Sequence, residues 1–94
     1  GFVPTPRTYQ IQQNFPNPFN PSTVIPYYLP KQSRVQLLVF DVMGRSVIEK
    51  EEDIVEAGSH EIVINGQNLS SGVYIYQFII DGIKVPPKKM VLLR

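Results

Sequence analysis

Side chains that could carry out acid–base or nucleophilic chemistry are few in this sequence of 94 residues. The one histidine, His60, stands at an alternating position of a predicted strand, with no serine and aspartate arranged near it. Without a serine and an aspartate placed beside it, a histidine cannot act in a catalytic triad, and it cannot hold a metal without partner ligands. The sequence contains no cysteine, which excludes disulfides, thiolate metal sites and cysteine catalysis. We therefore predict a protein that is not an enzyme and has no metal site and no cofactor.

The acidic residues lie where a structural role is expected. Asp41, Asp53 and Asp81 stand at predicted turns, where aspartate forms local hydrogen bonds with the backbone. A calcium cluster stays open as an alternative, although no ligand loop of the usual spacing is present. The run of charges at residues 49–53 is typical of a solvated strand face.

The last seven residues combine positive charge with an apolar run, and we call them the tail. If they reach the surface, they form a compact binding element. The alternative is that their apolar side chains simply close a sheet. The tail consists of Lys88, Lys89, Met90, Val91, Leu92, Leu93 and Arg94.

The overall composition is that of one small globular domain. Hydrophobic residues make up 43% of the chain and charged residues 18%, so global disorder is not expected. The formal net charge of +1 gives no long-range positive field, which argues against a nucleic-acid binder. No apolar run approaches the length of about 18 residues that a membrane-spanning helix needs. Because the sequence starts with Gly1, we expect a piece of a longer protein; if that protein is exported, the signal at its front lies outside this stretch.

Apolar and polar residues alternate along much of the chain, which is the pattern of half-buried strands. Residues 34–40 and 73–80 are predicted to be central strands, and residues 9–14 an edge strand. Asp81 and Gly82 are predicted to form a type I′ turn, because both positions of that turn need a positive φ. Short strands separated by frequent turn signals predict an all-β fold, an antiparallel β-sandwich of about seven strands.

Proline shapes three segments of this predicted sandwich. Residues 15–22 hold three prolines and are predicted to form an extended loop whose two phenylalanines pack inward, with an exposed aromatic binding site as the alternative. Pro26 lies within a strand-like run, which predicts an edge strand or a bulge. Pro86 and Pro87 interrupt the last strand, which predicts a freer tail or a bulged edge strand.

Two turns carry further structural signals. Gly44 follows Asp41 at a position where a left-handed residue would close a tight turn. Tyr74 comes just after a turn on a late strand, so its hydroxyl is predicted to donate to a nearby carbonyl, as in the tyrosine corner of β-sandwiches.

Four blocks of the sequence, spread over nearly the whole chain from Tyr9 onward, form a recognisable set. They are NFPNPFNPST at residues 14–23, VFDVMGR at 39–45, LSSGVY at 69–74 and KMVLLR at 89–94. In this order they resemble the C-terminal sorting domain of the type IX secretion system, type A. A related immunoglobulin-like module of flagellar hook-capping proteins shares part of the pattern, so the resemblance implies that the all-β sandwich is immunoglobulin-like.

The resemblance implies an address for export. Members of this family direct a preceding cargo domain of secreted proteins of Bacteroidetes across the outer membrane through the type IX translocon. A surface cysteine peptidase then typically cuts the linker ahead of the domain, and the cargo is released or joined to an anionic lipopolysaccharide. On this basis residues 1–8 are expected to be the linker and residues 9–94 the sorting domain. The protein is expected in the periplasm during transit, and then at the cell surface or outside the cell.

Carried over to this chain, the resemblance makes the tail the element that the translocon recognises. A sheet edge presents unpaired N–H and C=O groups, so the last strand could be captured by another protein's sheet, with the cations of the tail steered by an acidic surface. The same property leaves an edge-strand dimer open, although a monomer is expected. We predict a structural role for Asn17, Pro18, Phe19, Asn20, Pro21, Asp41, Gly44, Arg45, Gly72, Tyr74, Asp81 and Gly82.

A second function comes from a different class, an immunoglobulin-like accessory module of an extracellular enzyme. Such a module would bind carbohydrate or attach the enzyme to the cell surface. Its sugar-stacking platform would come from Tyr27, Tyr28, Tyr74 and Tyr76, although adjacent residues of a strand face opposite ways, so Tyr27 and Tyr28 cannot both contribute. The identity of the cargo is not encoded in this stretch.

Overall fold

Eight strands make up the part of the chain that the computed structural model describes, residues 8–94. Within that part no helix is present that has the length and hydrophobicity a membrane crossing requires. Residues 1–7, which include most of the predicted linker, lie outside the described range. The strands are β1 (Gln10–Ile11), β2 (Ser22–Leu29), β3 (Ser33–Phe40), β4 (Ser46–Val55), β5 (Gly58–Asn65), β6 (Gly72–Ile80), β7 (Ile83–Lys84) and β8 (Lys88–Leu92).

The strands form two antiparallel sheets. The first has the order β1-β2-β5, and the second the order β4-β3-β6, with β7 and β8 both pairing with β6 on its other side. Apolar side chains from both sheets form one buried core, in which the rings of Tyr27 and Phe78 lie 5.1 Å apart between their centroids. The predicted all-β antiparallel architecture is confirmed, and it is consistent with a β-sandwich.

Strand β6 shows how alternation places this core. Tyr74, Tyr76, Phe78 and Ile80 are all buried, as predicted for one face of a central strand. Because successive side chains of a strand point to opposite faces, the residues between them face outward. Each large apolar side chain that leaves water in this way contributes about 1.5–3 kcal/mol.

The chain between β6 and β8 contains the predicted turn, and after it β8 pairs with β6, which was not predicted. Asp81 has φ 51° and Gly82 φ 80°, which fits the predicted turn with two positive φ values. Pro86 and Pro87 do interrupt the strand, but the chain regains its partner afterwards and β8 pairs with the first half of β6. The prediction of a freer tail is therefore wrong. The interruption also divides one expected strand into β7 and β8, which raises the count from about seven to eight.

Pro26 lies in the middle strand of the three-stranded sheet, so the prediction of an edge strand or a bulge is wrong. Its carbonyl oxygen accepts a hydrogen bond from the N–H of Gln12 at 3.0 Å, just beyond the end of β1. The proline nitrogen faces that same side, where the short strand β1 has already ended at Ile11. The carbonyl of Gln12 is satisfied instead by the hydroxyl of Tyr76 at 3.0 Å. The missing donor therefore leaves no unpaired acceptor here.

The two phenylalanines of the proline-rich loop have opposite environments. Phe19 is 2% exposed and packs into the core, as predicted. Phe15 is 77% exposed, so its predicted inward packing is wrong. The backbone of Phe15 pairs with Val24 on the edge of β2, with N···O distances of 2.8 and 3.0 Å, and this pairing directs the ring outward.

Candidate functional site

Three of the four sequence blocks meet at one end of the five-stranded sheet. Strand β6 is antiparallel to both of its neighbours, so its beginning lies beside the ends of β3 and β8. In the register, Phe40 stands opposite Ile75, and Gly72 stands opposite Leu92. The fourth block joins them because Phe19 forms a parallel bridge with Leu92. The segments that the sequence separates by tens of residues are therefore neighbours around β8.

The tail alternates between core and surface. Met90 and Leu92 are fully buried and belong to the core, which is the role of closing a sheet. Lys89 and Leu93 are exposed, and Val91 between them is half-buried. Alternate residues of the tail thus close the sheet or reach the surface, and the core anchors fix the backbone that carries the outward-facing side chains.

The outer edge of β8 is covered by the proline-rich loop. The side-chain Oδ1 of Asn17 accepts a hydrogen bond from the N–H of Val91 at 3.0 Å. The N–H of Phe19 donates to the carbonyl of Val91 at 2.9 Å, and the carbonyl of Phe19 accepts from the N–H of Leu93 at 3.0 Å. One strand edge that the sequence suggested was open is thus paired with a segment of the same chain.

A further contact extends this cover toward the start of β8. The side-chain amide of Gln13 donates to the carbonyl of Lys89 at 2.7 Å. Together with the loop contacts, it satisfies backbone groups at three successive outward positions of the tail.

Gly66 allows the loop and the tail to pack closely, and the sequence analysis did not identify it. A Cβ atom at this position would lie 3.1 Å from Cδ2 of Leu92 and 3.2 Å from Cε2 of Phe19. Its N–H donates to the carbonyl of Pro21 at 2.8 Å. A glycine at the head of a polar loop was the available signal, but it reads equally well as an ordinary turn residue.

Arg94 is tied to the loop between β5 and β6. Its backbone N–H donates to Oγ of Ser71 at 2.9 Å. Its guanidinium donates from Nη2 to the carbonyls of Gly66, at 3.1 Å, and Gln67. The positive charge of Arg94 stays exposed while its backbone is held against the domain.

A buried polar cluster anchors the start of the proline-rich loop. The side-chain Nδ2 of Asn14 donates to Oγ1 of Thr23 at 3.1 Å and to the carbonyl of Pro16 at 3.2 Å. The hydroxyl of Thr23 also donates to that carbonyl, at 2.8 Å. Tyr76 completes the cluster by accepting from the N–H of Asn14 at 3.0 Å. Burial raises the pKa of the Tyr76 hydroxyl, an effect that the hydrogen bond from Asn14 partly offsets.

The turn after β3 is built around one carboxylate. Oδ1 of Asp41 accepts from the N–H groups of Met43 and Arg45, at 2.9 and 3.0 Å, and Oδ2 accepts from Nε of Arg45 at 2.8 Å. Gly44 has φ 83°, the left-handed conformation that was predicted. The backbone hydrogen bond from Arg45 is the main reason that the pKa of Asp41 lies below its usual range.

The other predicted motif positions lie at the two ends of β6 and in the proline-rich loop. Gly72 begins β6, at the end of the sheet where the sequence blocks meet. The hydroxyl of Tyr74 donates to the carbonyl of Ser70 at 2.7 Å, which is the contact predicted from the tyrosine corner. Asp81 and Gly82 lie at the opposite end of β6, away from the tail. Pro18, Asn20 and Pro21 are exposed members of the covering loop.

The residues considered for chemistry do not converge. His60 Nε2 lies 2.6 Å from the carbonyl of Glu56, a local contact. Oδ1 of Asp81 accepts from the N–H of Arg34 at 2.8 Å, and Asp53 forms an ion pair with the same arginine at 3.8 Å. Within residues 8–94 no group of three or more histidine, cysteine or acidic side chains could hold a metal ion. The calcium alternative therefore has no cluster of side chains to support it in that range.

The sugar platform that the accessory-module alternative needs does not form. Tyr27, Tyr74 and Tyr76 are at most 5% exposed, so their rings belong to the core. Tyr28 alone of the four is half-buried. A single partly exposed ring does not make the stacking surface on which the accessory-module hypothesis depended.

Comparison with known proteins agrees with these features. Residues 13–92 match the model of a protein family described as the secretion system C-terminal sorting domain. No curated protein sequence matches the chain. The crystal structure of dimeric latent PorU from Porphyromonas gingivalis shares the fold, with a TM-score of 0.76 over 95% of this chain at 19% identity. The chain spans 10% of that protein. The family match covers most of the sequence, and the chain therefore belongs to the C-terminal sorting domains of the type IX secretion system, which are not catalytic.

Proposed function

We propose that this domain carries a preceding cargo protein across the outer membrane through the type IX translocon, and that the tail is the element which the translocon recognises. The cargo precedes residues 1–8, which are the linker that a surface cysteine peptidase cuts. The protein passes through the periplasm and ends at the cell surface or outside the cell. The domain acts as a monomer.

The geometry of the tail is the observation that supports this proposal. Met90 and Leu92 fix β8 to the core, while Lys89 and Leu93 face solvent beside the exposed Arg94. A backbone that is already fixed before binding loses little conformational entropy when a partner binds. The domain therefore presents a rigid address and not a flexible peptide.

The covered edge limits how a receptor reads this address. Addition of β8 to a receptor's sheet would require the outward N–H and C=O groups of Val91, which already bond to Asn17 and Phe19. Strand addition would have to displace this loop and unseat the buried ring of Phe19. We infer that the receptor contacts side chains of the folded domain and leaves the edge paired.

Export of a fluorescent reporter tests the proposal. The reporter carries a periplasmic export signal and this chain, and it is expressed in a host with a working type IX system. Deletion of residues 89–94 is expected to leave the reporter in the periplasm. That deletion also removes Met90 and Leu92 from the core, so loss of folding would give the same result.

A point variant separates recognition from folding. Lys89→Glu reverses an exposed charge of the tail, and Lys31→Glu makes the same change at an exposed turn far along the chain. We expect Lys89→Glu to lower export severalfold, because charge reversal at an interface opposes the correct partner. Lys31→Glu should be exported like the parent. Equal export of both variants would exclude Lys89 from the recognised element.

The cut site has its own measurement. Mass spectrometry of the exported reporter should find a new terminus within residues 1–8. A terminus at residue 9 or beyond, or an intact fusion in the medium, would contradict the proposed removal of the domain at this linker.

A further inference from the structure

The outer face of the five-stranded sheet carries apolar side chains that the core does not use. Because Tyr74 and Tyr76 point inward, their strand neighbours Val73 and Ile75 point outward. The same alternation along β8 places Val91 and Leu93 on this face, and the register adds Phe40 from β3. We call this surface the outer patch, formed by Phe40, Val73, Ile75, Val91 and Leu93.

The members of the outer patch are neighbours across three strands. Phe40 stands opposite Ile75, and Val73 stands opposite Val91. Directly opposed side chains of an antiparallel pair lie close enough to form one surface, at about 5 Å between Cβ atoms. Val73 is 37% exposed and Leu93 is 55% exposed, while the other three are half-buried. A continuous apolar area of this kind is typical of an interaction site.

Charges of opposite sign lie at the two edges of this face. At the tail edge, Lys89 stands opposite the outward-facing Ile75 in the register, which places its positive charge on this face. At the opposite edge, Glu49 of β4 stands opposite Leu38, and is therefore on the same face. The outer patch thus lies between a positive edge and a negative edge.

These charges are not neutralised by each other. Within residues 8–94 the ion pairs are Arg34 with Asp53 and Arg45 with Asp41. Neither pair includes Lys89 of the tail edge or Glu49 of the opposite edge, whose Oε1 accepts a hydrogen bond from the hydroxyl of Ser46 at 3.1 Å. Both edges are therefore available to a partner of complementary charge.

We propose that a folded receptor protein of the secretion machinery docks on the outer patch through an apolar strip, with acidic side chains toward the tail edge and a basic side chain toward β4. The inference rests on the proposed function and adds the receptor's chemistry and orientation. It follows from the covered edge, because a receptor that cannot pair with the backbone of β8 must read side chains. The outward side chains of β8 are part of the outer patch.

Leu93→Glu and Val63→Glu form a matched pair of test variants. Both residues are 55% exposed, but Val63 lies on β5 in the other sheet. In the reporter export assay, Leu93→Glu is expected to lower export about tenfold, since a carboxylate would be buried against an apolar strip. Val63→Glu should be exported at the parental rate. Equal export of the two variants would overturn the proposal.

A second variant keeps the test independent of folding. Val73→Thr preserves the shape and the β-branching that a strand favours, and it replaces one methyl group by a hydroxyl. We expect export to fall about threefold or more, because that hydroxyl would be buried without a partner. Glu49→Lys tests the orientation, and is expected to lower export while Lys31→Glu does not. Parental export of both Val73→Thr and Glu49→Lys would contradict docking on this face.

The outcomes separate this inference from the proposed function. If Lys89→Glu blocks export while Leu93→Glu and Val73→Thr are exported normally, the tail is the address and the outer patch is not a docking site. Sedimentation of the purified chain checks for self-association. A dimer that Leu93→Glu dissociates, together with unchanged export, would assign the outer patch to a second copy and overturn the proposal.

Discussion

The hydroxyl of Tyr76 accepts a hydrogen bond from the N–H of Asn14 at 3.0 Å, although 62 residues separate them along the chain. The same hydroxyl donates to the carbonyl of Gln12 at 3.0 Å. A side chain of the five-stranded sheet thus satisfies two backbone groups of the segment that follows β1. The contact takes the place of strand pairing at the point where Pro26 has no N–H to offer. It also fixes the start of the loop that covers β8.

Tyr76→Phe is expected to lower the free energy of unfolding by about 1–3 kcal/mol, because it leaves the buried N–H of Asn14 without an acceptor. Tyr74→Phe is the matched control. Its hydroxyl donates to the carbonyl of Ser70, which lies in an exposed loop where water can replace it. Urea unfolding of both variants measures the difference. A smaller loss for Tyr76→Phe than for Tyr74→Phe would contradict the role assigned to Tyr76.

The contribution of Tyr76 should also depend on alkaline pH. Burial raises its pKa above the ordinary value of 10.0, so in this range the unfolded chain gives up the proton more readily than the folded protein. The stabilisation is complete below pH 10 and is lost as the pH rises through the folded-state pKa. The stability gap between the parent and Tyr76→Phe should therefore be constant up to about pH 10 and narrow above it. A stability gap that widens above about pH 10 would contradict the raised pKa of Tyr76.

Phe19→Ala and Phe15→Ala should differ strongly despite their shared loop. Phe19 is 2% exposed and packs against Leu92, so its truncation is expected to cost about 3–5 kcal/mol. Phe15 is 77% exposed, and its truncation should change stability by no more than about 0.5 kcal/mol. Thermal unfolding of the two variants checks this contrast. Comparable losses would mean that the ring of Phe15 packs in solution.

Gly66→Ala is expected to lower the free energy of unfolding by about 1–3 kcal/mol through overpacking. The added methyl group would meet Leu92 and Phe19 at 3.1 and 3.2 Å, and the carbonyl of Pro21 at 3.2 Å. Gln67→Ala, one residue further and exposed, is the control. Denaturant midpoints of the two variants give the comparison. An unchanged midpoint for Gly66→Ala would show that the loop and the tail can move apart at no cost.

Asp41 makes the turn after β3 sensitive to acid. Its pKa lies below the ordinary value of 3.8, chiefly because its carboxylate accepts the backbone hydrogen bond from Arg45. The stabilisation is present above pH 3.8 and is lost as the pH falls through the folded-state pKa. Asp41→Asn should therefore be less stable than the parent at neutral pH, with the gap closing in strong acid. Thermal melting points measured from neutral pH to below 3 follow this gap, and a pH-independent gap would contradict it.

Local patterns predicted the elements whose partners are close in sequence. Alternation along residues 73–80 predicted the buried face of β6, and the Asp81-Gly82 pair predicted its turn. Gly44 and Tyr74 were likewise predictable, because their partners lie within four residues along the chain. The fold class followed from these local elements and from the frequency of turns.

Contacts made by segments that lack a periodic pattern could not be predicted from the sequence. Nothing in the spacing of the proline-rich loop distinguishes the buried Phe19 from the exposed Phe15, since a loop has no regular alternation of faces. The contact of Asn17 with Val91 joins residues 74 positions apart, and Gly66 is explained only by the two side chains that meet there. The tail was identified from the sequence as a candidate element. Its covered edge was not, because the cover comes from the other end of the chain.

The charges along strand β4 disfavour its pairing with another copy of the protein. It forms the outer edge of its sheet, and residues 49–53 along it are Glu, Lys, Glu, Glu and Asp. A second copy that paired there in antiparallel fashion would bring several carboxylates face to face, which is unfavourable. With β8 covered and β4 repelling its own kind, fibre growth through either of these two strands is disfavoured. Copies held at a high local concentration would therefore remain separate.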